Sequence, residues 1–94
     1  MLSIPSTSVQ YVHVPITGTD LDGGEPVAMA VIATTAEEPA TGDWKTANWD
    51  AGSARILIGP GTDLQLADGI YRVWVRVTAS PEIPVIRSGL LRIT

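Results

Sequence analysis

Cysteine is absent from this 94-residue chain. That excludes a disulfide framework, a thiolate nucleophile and any zinc or iron–sulfur centre built on sulfur ligands. Histidine occurs once, as His13, so one copy of the chain cannot assemble a histidine-based metal site. Long apolar runs are missing as well. The longest, Val27-Ala28-Met29-Ala30-Val31-Ile32-Ala33, is seven residues, where a membrane helix needs about twenty. The first residues, Met1-Leu2-Ser3-Ile4-Pro5, carry neither a basic segment nor an apolar one, so no secretory leader is expected. These absences describe a soluble chain of one domain, released into the cytoplasm and without a membrane partner.

Basic residues are scarce too. Six stand against ten acids, a formal net charge of −4, which argues against nucleic acid as a partner. The charges are unevenly placed. Residues 1–50 carry seven acids against Lys45 alone, while residues 51–94 carry five arginines against three acids. An acidic half and a mildly basic half can complement each other between copies and steer their encounter, or be ordinary solvated surface.

What the sequence has in abundance is glycine and proline at short intervals, nine and seven respectively. Few windows between them hold an amphipathic helix, and those windows are rich in β-branched residues. The pattern predicts an all-β domain with strands over 9–14, 27–34, 55–58, 70–78 and 85–94, and a weaker one over 44–49. The segment 70–78 alternates most cleanly. It places Tyr71, Val73, Val75 and Val77 on a core face and Arg72, Trp74, Arg76 and Thr78 on the other. In 27–33 both alternating sets are apolar, as expected of an interior strand covered on both faces. Leu90-Leu91 after Ser88-Gly89 breaks the alternation, which predicts a bulge at Gly89.

The run Leu64-Gln65-Leu66-Ala67-Asp68-Gly69-Ile70-Tyr71-Arg72-Val73 resembles the tyrosine corner of immunoglobulin-like sandwiches. Gly69 stands two residues before Tyr71 and a core residue, Val73, two after it. Val73 takes the place usually held by cysteine, and Ala67 the place usually held by aspartate. The resemblance implies a small immunoglobulin- or fibronectin-like β-sandwich over 9–94, in which the Tyr71 hydroxyl bonds back to the backbone; another small β-barrel is the alternative that the short strands leave open. Trp44 or Trp49 would serve as its core tryptophan. Residues 1–8 are expected to form an extended N-terminal arm, either disordered or laid on a neighbouring subunit with Leu2 and Ile4 as small anchors.

Candidate chemistry is thin. Asp20-Leu21-Asp22-Gly23-Gly24-Glu25 places its glycine and glutamate too early for a calcium loop. Gly59-Pro60-Gly61-Thr62 lacks the lysine of a phosphate-cradling loop and reads as a turn. Glu37-Glu38 sits beside Pro39 in a loop, and no serine stands in a nucleophile elbow. No catalytic, cofactor-binding or metal residue is assigned, no cofactor is implied, and an enzyme is not expected. The residues that stand out are Arg72, Trp74 and Arg76, because tryptophan and arginine on the non-core face of a strand are the side chains that dominate protein interfaces. An equal alternative is that Trp74 lies under a loop or the arm with the arginine stems beside it.

Taken with their spacing, 44–49, Ala54-Arg55-Ile56-Leu57-Ile58-Gly59-Pro60-Gly61, 68–77, Ser80-Pro81-Glu82-Ile83-Pro84-Val85 and Gly89 resemble a family of small β proteins encoded by actinobacterial tailed phages and prophages among the head and connector genes. The resemblance runs from about residue 5 to the C-terminus, and its motifs are structural. It implies a virion subunit, assembled in the bacterial cytoplasm. On this reading it is a capsid decoration protein that binds the major capsid protein, as a homo-oligomer and commonly a trimer, and cements capsomer seams. A neck or tail subunit, or a carbohydrate-binding host-attachment module with Trp74 as the stacking ring, are the alternatives it leaves open.

Overall fold

The structure, a computed structural model, describes residues 2–16, 25–50, 52–62, 64–78 and 83–94. Eight strands run through the described chain: β1 (Leu2–Ile4), β2 (Gln10–Pro15), β3 (Val27–Ala33), β4 (Lys45–Thr46), β5 (Asn48–Asp50), β6 (Ser53–Ile58), β7 (Gly69–Val77) and β8 (Val85–Ile93). The one helical element among the described residues is a single 3₁₀ turn, Thr41–Asp43, whose Asp43 carboxylate accepts the Ala40 N–H at 2.9 Å. The fold is all-β and sandwich-like, built from a five-stranded sheet in the order β1-β8-β7-β3-β4 and a three-stranded sheet in the order β2-β6-β5.

Alternation sets which side chains meet between the sheets. From the large sheet come Val27, Met29 and Val31 of β3, Val73, Val75 and Val77 of β7, and Leu91 and Ile93 of β8; from the small sheet come Val12, Val14, Ala54, Ile56 and Ile58. Met29, Val75, Val77 and Ala54 have no exposed surface at all. Burying these branched side chains, at about 1.5–3 kcal/mol each, is the main force holding the two sheets face to face. β3 is covered on its other side as well, with Ala30 at 0% and Ile32 at 8% exposure, as its doubly apolar sequence predicts.

β7 pairs with β8 in two registers. Arg72 faces Leu90, but Trp74 faces Arg87, so β8 spends one extra residue opposite Val73. That is the bulge predicted at Gly89. It turns Leu91 and Ile93 inward while Leu90 and Arg92 share the outer face with β7.

The N-terminal segment departs from the expected arm. β1 lies parallel to β8 within its own chain, with Leu2 opposite Leu91 and Ile4 opposite Ile93. Thr94 donates its N–H to the Ile4 carbonyl at 3.0 Å, and Ser6 donates its N–H to the Thr94 carbonyl at 2.9 Å. Ile4 is 1% exposed and belongs to the core, whereas Leu2 remains 48% exposed. Within this chain Ile4 is thus a core side chain, paired beside Ile93. β1 thereby forms the edge of the large sheet beside β8.

The segment 44–49 also differs from the single strand expected. It splits into β4, which pairs with β3 in the large sheet, and β5, which pairs with β6 in the small one. The chain crosses between sheets at Ala47, which is 6% exposed and donates its N–H to the Val27 carbonyl at 2.9 Å. A small side chain is what the crossing admits.

Candidate interaction surface on the outer sheet face

The face of the large sheet turned away from the core collects most of the chain's positive charge. On β7 it carries Ile70, Arg72, Trp74 and Arg76; register adds Ala28, Ala30 and Ile32 from β3, and Val85, Arg87, Leu90 and Arg92 from β8. Four of the six basic residues thus share one surface. Exposed apolar side chains, Ile70 at 44% and Val85 at 51%, stand near its two ends. Arg72, Trp74 and Arg76 are each half-buried, held by neighbours rather than waving in solvent.

The sequence supplies each of those neighbours. The β8 bulge presents the Ser88 carbonyl, which accepts a hydrogen bond from Arg72 Nη1 at 2.9 Å. Ala28 and Ala30 leave a low floor across β3, and Arg76 lies with its guanidinium carbon 4.7 Å from the centroid of the Trp44 ring. A cation over an indole face contributes about 0.5–1 kcal/mol where exposed. Trp74 lies opposite Ala30 on one side and Arg87 on the other. Its indole N–H is shielded from solvent and has no acceptor among the described residues. Beside it, Thr34, Thr35, Ala36, Glu37, Arg72, Trp74 and Arg87 line a cleft of about 300 Å³.

Residues expected to matter are therefore brought together unevenly. Arg72, Trp74 and Arg76 share one face with Trp44 and Arg87, two members that sequence reading missed. Arg87 joins through the register beyond the bulge, and Trp44 through the docking of β4; neither signal is visible in local alternation. Leu2 lies on the far edge strand, and Ile4 is inside. Trp49, not Trp44, packs against the core, and its Nε1 donates to the Glu25 carbonyl at 2.7 Å. Tyr71 donates its hydroxyl to the Ala67 carbonyl at 2.7 Å, closing the turn that leads into β7. Gly69 provides the adjoining backbone at φ +155°, a conformation that residues with a side chain rarely adopt.

The outer face of the small sheet is different in kind. Its charges and rings are matched internally. Arg55 lies 4.2 Å from the Tyr11 centroid and pairs with Asp50 at 3.7 Å, while Tyr11 meets His13 edge-on at 6.2 Å. Among the described residues of this face the Arg55 Nε is shielded without a partner. His13 is exposed on β2 with no second histidine to join it.

Gly59-Pro60-Gly61-Thr62 forms a turn, as expected. Thr62 sends both its N–H, at 3.2 Å, and its hydroxyl, at 2.7 Å, to the Gly59 carbonyl. The acidic stretch considered as a calcium loop lies outside the described residues except for Glu25, and Ser80, Pro81 and Glu82 lie outside them as well. Among the described residues no three His, Asp or Glu side chains gather to hold a metal ion, and no helix is long and apolar enough to cross a membrane. Comparison with protein-family models, with curated proteins and with solved structures finds no match to this chain.

Proposed function

We propose that this chain is a structural subunit of a tailed-phage virion. Its role is to decorate the head, docking on the major capsid protein through the outer face of its five-stranded sheet and cementing adjacent shell subunits without making or breaking covalent bonds. We further read the sandwich as immunoglobulin-like. Two features support that reading: the strand order, in which β2, β6 and β5 face β4, β3, β7, β8 and β1, and the Tyr71 hydroxyl bond at the start of β7. The phage assignment is supported by the sequence resemblance.

The observation that carries a binding role is the composition of that outer face. A tryptophan held between arginines, with exposed Ile70 and Val85 beside them, is the mixture that concentrates binding energy at protein interfaces. The small-sheet face, whose arginine already has a ring and a carboxylate, offers less to a partner.

The test is sedimentation of purified chain with heads of actinobacterial tailed phages. The chain should pellet with heads in copy numbers comparable to the capsid subunit. Trp74→Ala should keep its melting temperature and weaken this binding by about thirtyfold, the effect of removing an interface hot spot of about 2 kcal/mol. A chain left in the supernatant, or pelleted equally by the variant, would overturn the proposal.

A further inference from the structure

We infer that the cleft beside Trp74 receives a carboxylate side chain from an acidic, extended protein segment of the docking partner. The inference rests on reading the outer sheet face as the docking surface, and it assigns that surface its ligand chemistry. Three observations converge on it.

The first is Trp74 itself. An indole N–H is a donor only. Here it is shielded from solvent and meets no acceptor among the described residues. Folded proteins leave few buried donors in that condition, because the group has given up water for nothing. An acceptor delivered by a partner resolves it. Arg87, the cross-strand neighbour of Trp74, is exposed and lines the same cleft.

The second is the pair of guanidinium groups lining the same cleft. Arg72 is oriented by its Nη1 bond to the Ser88 carbonyl, which leaves the remaining N–H groups of a rigid fork for a ligand. Arg87 forms no ion pair among the described residues. Two oxygens of one carboxylate match such a fork in a way that a single lone pair does not. Thr34 and Thr35 line the same cleft.

The third is charge complementarity across the whole face. Among the described residues Arg72, Arg76, Arg87 and Arg92 form no ion pair; the one ion pair there, Arg55–Asp50, is on the other sheet. Among the described residues Glu37 is the one acid lining the cleft, and it pairs with neither arginine. The occupant is a protein segment rather than a nucleic acid. Only two cations line a cleft sized for a side chain or two, too few to track a phosphate backbone.

The experiment follows the three indole N–H signals of the ¹⁵N-labelled full chain, assigned by replacing Trp44, Trp49 and Trp74 with phenylalanine one at a time. The probe is a hexaglutamate peptide capped at both ends, with capped hexalysine, inorganic phosphate and a short oligothymidylate as comparisons. The Trp74 signal should move saturably with hexaglutamate and stay still with hexalysine. Arg87→Gln, which leaves the Arg72–Ser88 bond in place, should weaken the response by about tenfold, the loss of one charge-assisted contact, and Glu37→Gln should strengthen it. No movement at millimolar peptide, a response unchanged by Arg87→Gln, equal movement with hexalysine, or tighter binding of phosphate or oligothymidylate would each overturn the inference. Heads that still bind the chain in a Trp74-dependent way while hexaglutamate does not would sink this inference and leave the proposed function standing. Loss of head binding would sink the proposed function instead.

Discussion

Truncating Ile4 to alanine separates two pictures of the N-terminus. In the structure Ile4 is 1% exposed and packs beside Ile93, Ile58 and Leu66, with a gap of about 10 Å³ among them. Three carbons leave in Ile4→Ala. Their transfer accounts for about 2.4 kcal/mol at about 0.8 per carbon. The space left behind adds to this, since such substitutions cost about 2–5 kcal/mol in well-packed cores. A value of about 3 kcal/mol is expected, because β1 is an edge strand able to relax toward β8. In a domain of this size each kcal/mol lowers the melting temperature by about 4–8 °C, so the variant should melt roughly 12–24 °C below the parent. Leu2→Ala is the internal control, because a side chain already 48% exposed has little left to lose, about 1 kcal/mol or less. Thermal melts followed by circular dichroism, repeated in urea, measure both. If Ile4→Ala melts within about 3 °C of the parent while self-association or head binding collapses, residues 2–4 belong to a neighbour and the assignment of β1 to its own sheet is wrong.

Three other substitutions probe the frame that holds the outer face. Gly59 has φ +123°, and a Cβ there would press into the Ser8 carbonyl and the Val9 Cα; Gly59→Ala should cost about 3 kcal/mol or more in urea unfolding. Gly61→Ala, at φ +80° with open space around it, should cost about 1–2 kcal/mol, and equal losses at both sites would refute the close approach. Tyr71→Phe removes the bond to the Ala67 carbonyl, which lies near the surface, so a loss of about 0.5–1.5 kcal/mol is expected and an unchanged melting point would strip that bond of its role at the start of β7.

The parts of the fold that announced themselves in the sequence are those governed by local alternation. In β7 the valines and tyrosine fall on one face and the arginines and tryptophan on the other, so both the core and the candidate surface were legible from nine residues. β3 revealed its interior position because both of its faces are apolar, and the β8 bulge because Gly89 precedes two adjacent leucines. The parts that stayed hidden depend on pairing across long separations. Leu2-Ser3-Ile4 is too short to show a period, and its partner is the last strand of the chain. The split of 44–49 is decided by where Thr46 and Trp49 find partners, opposite Ala28 and Ala54 in different sheets. For the same reason the candidate site was half visible. Arg72, Trp74 and Arg76 share a strand, whereas Arg87 and Trp44 reach them only through register and docking.

The central claim is that the arginine- and tryptophan-bearing sheet face is what this subunit turns toward a phage shell. A density map of particles from an actinobacterial host producing the chain tests it most directly. Density for a two-sheet domain is expected on the outside of the head, with β7 and β8 against the capsid and the Trp74 ring inside the contact. Particles lacking the chain, or a domain seated on the shell by the Tyr11, His13 and Arg55 face instead, would contradict it.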